Sequence, residues 1–292
     1  MFERSKISLT TTTNHEIQDV GFKSMERWKK WFEIFVGVNV MVSVQVTIES
    51  MMERKPFIMA YLEDEKANDL LYCLLVILIN VIFMLSTITT VLGYEGTFIY
   101  FIAYSVAEIK MVKLALKSYR FTSKEGRETF NKILDHHVHT LNFIQDVSDS
   151  YSFILLCQYL TSLTAVCFAL FLMTLDGMPP DLDHITRYGN LSVTYLLQLA
   201  ILCIAGDILT NECSGIGDIM FHKDWDENLV YRNSFAMASV MMIQRTQKSA
   251  ALSIGGFTEL NLESFGEVVK SAMSFLTFMQ TVYEEKGGNL SK

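Results

Sequence analysis

The chain has 292 residues, of which 50% are hydrophobic and 19% charged, with 3 prolines against 20 phenylalanines and 16 methionines. Its mean hydropathy of +0.27 makes it too apolar and too poor in turn formers for a soluble α/β domain. A net charge of -8 argues against a nucleic-acid surface, which would be basic. In chain order, residues 1–30 are polar and lack the apolar core of a secretory signal peptide. Residues 31–49 are apolar apart from Glu33 near the start and Glu49 at the end. Residues 70–92 carry no charge, and neither do residues 152–175. Each of these two runs can cross a hydrocarbon core of about 30 Å as a helix. Residues 190–207 are nearly as apolar. The last candidate, 260–283, contains Glu267 and Lys270. Such a helix should face protein or water rather than lipid, because a charge at the bilayer centre costs roughly 2.5–3.5 kcal/mol on insertion scales.

Lysine and arginine in the short connections set the orientation. The basic stretches "KSMERWKKW" and "KLALKSYRFTSKEGRETFNK" should be cytoplasmic, whereas the acid-rich "DGMPPDLDHITRYGN" should lie outside. Lys223, Arg232, Arg245 and Lys248 return the chain to the inside. The last span then ends outside, where Asn190 and Asn289 each begin a glycosylation triplet. Two apolar patterns continue past their spans. Residues 93–117 and 128–151 keep apolar residues at helical spacing, which predicts two long helices that leave the bilayer and pack together in the cytoplasm. The fold expected is all-α: a polytopic membrane helical bundle of one domain, with 93–151 and 208–255 forming a cytoplasmic helical anchor.

Residues that could carry chemistry are few. In "DHHVH", His136 and His139 stand at i, i+3, a possible metal-ligand spacing, but no carboxylate or cysteine cluster completes a site. No metal and no cofactor is expected. Cys73, Cys157, Cys167, Cys203 and Cys213 fall mostly in apolar runs at irregular intervals, as buried thiols do. No nucleophile elbow or phosphate loop occurs, and the chain does not read as an enzyme.

The C-terminal third raises a different possibility. "MMIQRTQK" reads as helix, Gly255-Gly256 breaks it, and a second, polar-then-apolar helix follows. The stretch closely resembles the C-terminal signature of the insect odorant receptor family. The resemblance runs through Trp225, Arg232, the run Gln244 to Lys248, Gly255-Gly256-Phe257, Leu262-Glu263, Phe265, Lys270 and Ser274-Phe275. Upstream, "HVHTLNF" and "LLCQYLTSLTAVC" resemble the family's fifth helix. Phe221 and Met273 depart from the family's usual tyrosines. The family has seven membrane helices, and the five found here match its third to seventh. This implies an N-terminally truncated chain: an incomplete gene model, an isoform or a degenerate copy.

The resemblance implies a split last helix. Its first half, about 228–248, would join the cytoplasmic anchor, and its second half would re-enter the membrane and line an ion pore. It implies an odorant-gated, non-selective cation channel subunit in the plasma membrane of olfactory neurons, assembled with a co-receptor as a hetero-oligomer, a tetramer in this family. A small volatile would bind among Val44, Thr47, Tyr72, Phe168, Phe171, Met173 and Tyr195, chosen by depth. Ser274, Phe278, Thr281 and Val282 would form the pore and gate, with Thr277 and Thr281 as the alternative face. Trp225, Arg245, Gln247 and Lys248 would serve assembly. Other readings are a non-functional or regulatory truncated fragment and a G-protein-coupled-type receptor, whose topology is the reverse. A secondary transporter should show matching broken helices in two halves, and the sequence has one break.

Overall fold

The computed structural model describes residues 15–53, 70–118, 124–173, 188–222, 232–247 and 251–290. In order the elements are α1 (His15–Glu53), α2 (Leu70–Thr90), a π-helical turn (Val91–Glu95), α3 (Gly96–Ser118), α4 (Lys124–Met173), α5 (Asn190–Phe221), α6 (Arg232–Gln247), β1 (Ser253–Ile254), β2 (Thr258–Glu259) and α7 (Leu262–Leu290). Among the described residues, three helical stretches are long and apolar enough to cross a membrane: Ile77–Ser118, Glu128–Met173 and Asn190–Phe221. The run 31–49 lies on α1, and 260–283 lies on α7 from Leu262 onward. The chain divides into two compact units, Trp28–Tyr100, and Met1–Arg27 together with Phe101–Lys292.

In the unit Trp28–Tyr100, α1 buries Phe35 beside Phe32, the ring centroids 6.5 Å apart. The π-helical turn joins α2 to the start of α3. Leu71, Leu74, Leu78, Ile82 and Leu85 are all exposed on α2. Such a broad bare apolar face is stable in lipid and a liability in water. Thr89 and Thr90 return their hydroxyls to the carbonyls of Leu85 and Ser86 (2.7 and 2.9 Å), which leaves their donors satisfied where no water is available.

α1 begins earlier than the sequence led one to expect. The stretch before residue 31 is helical from His15, and an i,i+4 pair, Lys23 Nζ to Asp19 Oδ2 at 2.6 Å, supports its exposed side. Its other side is packed: Ser24 is buried, and Gly21 lies against the Met111 side chain of α3.

The larger unit is built around α4, 50 residues long or about 75 Å of helix. Its first half carries the amphipathic extension and its second half the uncharged run. Phe101 and Tyr104 of α3 meet Phe143 of α4 edge-on at 6.0 and 5.5 Å, and Phe101 also meets Tyr151 at 6.2 Å. These are favourable geometries for aromatic quadrupoles. α3 and α5 are cross-braced. Lys113 Nζ donates to Glu212 Oε2 at 2.7 Å, and Lys110 Nζ stands 3.5 Å from Oε1. Burial alone would raise the Glu212 carboxyl, but the two ammonium groups outweigh it and hold it below its ordinary value.

Between α3 and α4, His136 Nε2 stands 2.7 Å from Glu108 Oε2 with both groups buried. The contact is a close approach rather than an aligned hydrogen bond, since neither atom meets hydrogen-bond geometry. The neighbouring His137 is buried with no hydrogen bond to either ring nitrogen. Desolvation, then His136 and Arg245, push its pKa down to about 4. His139, at the i+3 position from His136, is exposed, so the two imidazoles do not converge as metal ligands would. Cys167, Cys203 and Cys213 are buried free thiols, as the sequence suggested, whereas Cys157 is exposed. Cys73 lies outside the residues whose side chains are described.

Candidate functional site

The Gly255-Gly256 break is more than a turn between two helices. It is the tip of a two-stranded antiparallel hairpin that pairs Ser253 with Glu259 and Ile254 with Thr258. Gly255 and Gly256 have φ of 61° and 77°, a left-handed pair that L side chains resist and glycine adopts freely. Phe257 N closes the turn onto Ile254 O at 3.1 Å, and Leu260 N bonds Leu252 O at 2.7 Å. Two strand residues per side cannot hold a hairpin in solution, and this one is held by its neighbours. Gly255 N donates to Ser152 O of α4 at 3.0 Å, and Ser253 N to Ser148 Oγ at 3.0 Å. A Cβ on Gly255 would come within 2.7 Å of Leu156. From the other side, a Cβ on Gly206 of α5 would collide with Leu260 O. The hairpin is therefore wedged between α4 and α5, with Leu252, Ile254 and Leu260 all buried.

The hairpin starts α7. Asn261 caps it by accepting Ser264 N on its Oδ1 at 2.9 Å. Ser264 Oγ donates to Glu259 O at 2.6 Å and contacts Thr258 Oγ1 at 3.0 Å. Glu263 in the first turn complements the helix dipole. Beyond the cap, Ser264, Val268 and Ala272 are buried at i, i+4, i+8. Ala272 joins Val166 and Cys167 in an apolar cluster, against which Leu163, Leu170, Tyr195, Leu196 and Phe275 pack. α4, α5 and α7 meet there. The opposite face of α7 is exposed and largely polar. Glu263, Glu267, Lys270, Ser274, Thr277 and Thr281 lie along it, flanked by Met273 and Phe278. Thr277 and Thr281 satisfy their hydroxyls on the carbonyls of Met273 and Thr277, each at 3.0 Å.

Of the residues expected to hold a ligand, Tyr195 packs on the α4–α5–α7 cluster. Phe171 and Met173 are half-buried, Phe168 is exposed, and Val44 is exposed on α1. The side chains of Thr47 and Tyr72 lie outside the described residues. Among the pore and gate candidates, Ser274, Phe278 and Thr281 are exposed and Val282 is half-buried. Of the assembly candidates, Arg245 is exposed on α6. Gln247 closes that helix with its side chain undescribed, and Trp225 and Lys248 lie outside the described residues. Sequence reasoning missed Ser148, Ser152 and Gly206, which hold the hairpin. Only Gly206 left a signal, a lone glycine inside an apolar helical pattern.

The profile of the 7tm odorant receptor family matches residues 10–273. The chain belongs to this family. Odorant receptor 67c of Drosophila melanogaster is 24% identical over 175 residues, which cover 59% of this chain and 42% of that receptor. Odorant receptor 47a of the same fly is 23% identical over 181 residues, covering 61% and 45%. The matched part thus spans less than half the length of these relatives. The fold is that of the insect olfactory receptor OR5 from Machilis hrabei, solved in complex with eugenol. That structure has a TM-score of 0.65 at 13% identity, over 96% of this chain and 70% of that one. Its ligand-free form gives a TM-score of 0.58. The chain accordingly has the fold of a helical membrane bundle, and its family is one of receptors rather than enzymes.

Proposed function

We propose that this odorant receptor is a subunit of an odorant-gated, non-selective cation channel that binds a small volatile and assembles with a co-receptor, as a tetramer, in the plasma membrane of olfactory neurons. The observation that carries the reading is the exposed face of α7. A membrane helix that turns Glu267, Lys270, Ser274, Thr277 and Thr281 away from its own bundle needs water or other subunits on that side, because lipid would not tolerate it. A ring of such helices around an axis supplies both. The exposed side of α6, with Met237, Val240 and Met241 bare, offers an apolar surface for assembly with neighbouring subunits. The ligand would sit among the apolar residues near the far end of α4 and the start of α5, with Tyr195 in its wall. This follows the Machilis receptor only in that a small organic molecule is its partner.

Within the pore helix, Phe278 is exposed while Val282 leans toward the packed side. Phe278 and Thr281 are therefore the better gate pair, an apolar constriction next to a hydroxyl ring. In cells expressing this chain with the co-receptor, Phe278→Ala and Thr281→Ala should change basal current or ion selectivity, with odorant potency altered less than about threefold. Val282→Ala should have the smaller effect. If the first two substitutions shift only odorant potency, this face does not line the pore.

A further inference from the structure

Hydroxyls on helices in apolar surroundings normally bond to a carbonyl one turn back. Thr161 and Thr164 on α4 and Thr194 on α5 all do so, at 2.8 Å to Cys157, Leu160 and Asn190 respectively. Ser192 does not. It is 4% exposed, and its Oγ has no hydrogen-bond partner. A buried donor left unpaired is unfavourable, and few occur in folded proteins. Ser192 lies one turn before Tyr195 and Leu196 on α5, so it shares their face. That face packs on the apolar cluster of Leu163, Val166, Cys167 and Leu170. The result is an unsatisfied hydroxyl at the end of a wall that is apolar apart from the Tyr195 phenol and the Cys167 thiol. Small-molecule sites are built this way, with apolar surface for affinity and a few placed polar groups for orientation.

We propose that Ser192 donates a hydrogen bond to the ligand, and that the receptor therefore selects volatiles with a hydrocarbon body and one acceptor oxygen, a carbonyl or an ether, over hydrocarbons of the same shape. The proposal rests on the volatile-binding reading above and names the chemistry of its ligand. A site built to hydrogen-bond an oxygen rejects the analogue that lacks it, because its own polar group is then left buried and unpaired. Ser162 on α4 is also buried with an unpaired hydroxyl. It lies deeper in the uncharged run, and the prediction for it is the opposite: its loss should not alter the preference for oxygen.

The test uses pairs of volatiles matched in shape, one a ketone or ether and the other the corresponding alkane. The readouts are the current of the full chain with the co-receptor and the thermal stabilisation of the purified protein by each compound. Wild type should favour the oxygenated member, and Ser192→Ala should weaken it about tenfold while leaving the alkane unchanged. Removing an unpaired donor should not impair folding, and Ser192→Cys, a weaker donor of similar size, should fall between. Because Ser192 also completes the Asn190 triplet, Asn190→Gln is the control and should behave as wild type. Equal losses for both members of a pair, or no loss for either, would overturn the proposal. So would an identical change in preference with Ser162→Ala. If no compound evokes current but stabilisation keeps the Ser192-dependent preference, the channel reading fails and this one stands. If no compound either stabilises the protein or evokes current, both fall.

Discussion

α2 and α7 both leave much of their surface bare, and the contrast between them is chemical. α2 exposes Leu71, Leu74, Leu78, Ile82 and Leu85. α7 exposes Glu267, Lys270, Ser274, Thr277 and Thr281 while burying Val268 and Ala272. An apolar bare face calls for lipid, and a polar one calls for water or protein. Exposure alone says little about a membrane helix. The composition of the exposed side says which medium it faces.

The sharpest way to break this contrast is to put the same charge on each helix. Ile82→Asp should reduce membrane insertion and surface delivery severely, by about 3 kcal/mol on insertion scales, as read by surface biotinylation. Ser274→Asp, on the polar face of α7, should reach the surface at close to wild-type levels. Equal losses would mean that α7 faces lipid after all.

The hairpin that starts α7 offers a second test on that side of the comparison. Gly255→Ala places a side chain at a φ of 61° and against Leu156. The left-handed conformation costs about 1–2 kcal/mol before any clash. A lower melting temperature of the purified protein, with ordinary expression of Gly37→Ala as a control at an open helical site, is the expected result. An unchanged melting temperature would show that the hairpin does not depend on this turn.

A pH-dependent effect concerns the extension of α4, outside the uncharged run. The His137 pKa falls from 6.5 to about 4 in the folded protein, so the unfolded chain binds the proton more readily in that interval. Stability should be fully present above pH 6.5 and should fall, by on the order of 1 kcal/mol per pH unit, as pH drops toward 4. His137→Leu should flatten this acid limb in thermal unfolding measured between pH 7 and pH 4.5. A limb of the same slope in the variant would assign it to other groups.

Much of this was readable in the chain itself. The uncharged runs 70–92 and 152–175 fixed two of the long helices, because a helix crossing hydrocarbon must be apolar over about twenty residues. Their amphipathic continuations foretold the helical segments that follow and precede them. The signature from Gln244 to Phe275 gave the family, and Gly255-Gly256 gave the break. What the sequence could not say was what the break becomes. A hairpin two residues deep has no signal of its own, since Ser148, Ser152, Leu156 and Gly206 hold it from helices distant in sequence. The beginning of α1 was also hidden, since a polar helix of modest propensity is decided by what its inner side packs against. Nor could periodicity tell which hydroxyls find partners. Thr194 and Ser192 stand two residues apart on one helix, and only the packing of α5 against α4 and α7 leaves one satisfied on a backbone carbonyl and the other buried without a bond. Local composition set which segments are helical and apolar, and long-range contact set which of their polar groups are left buried and unpaired.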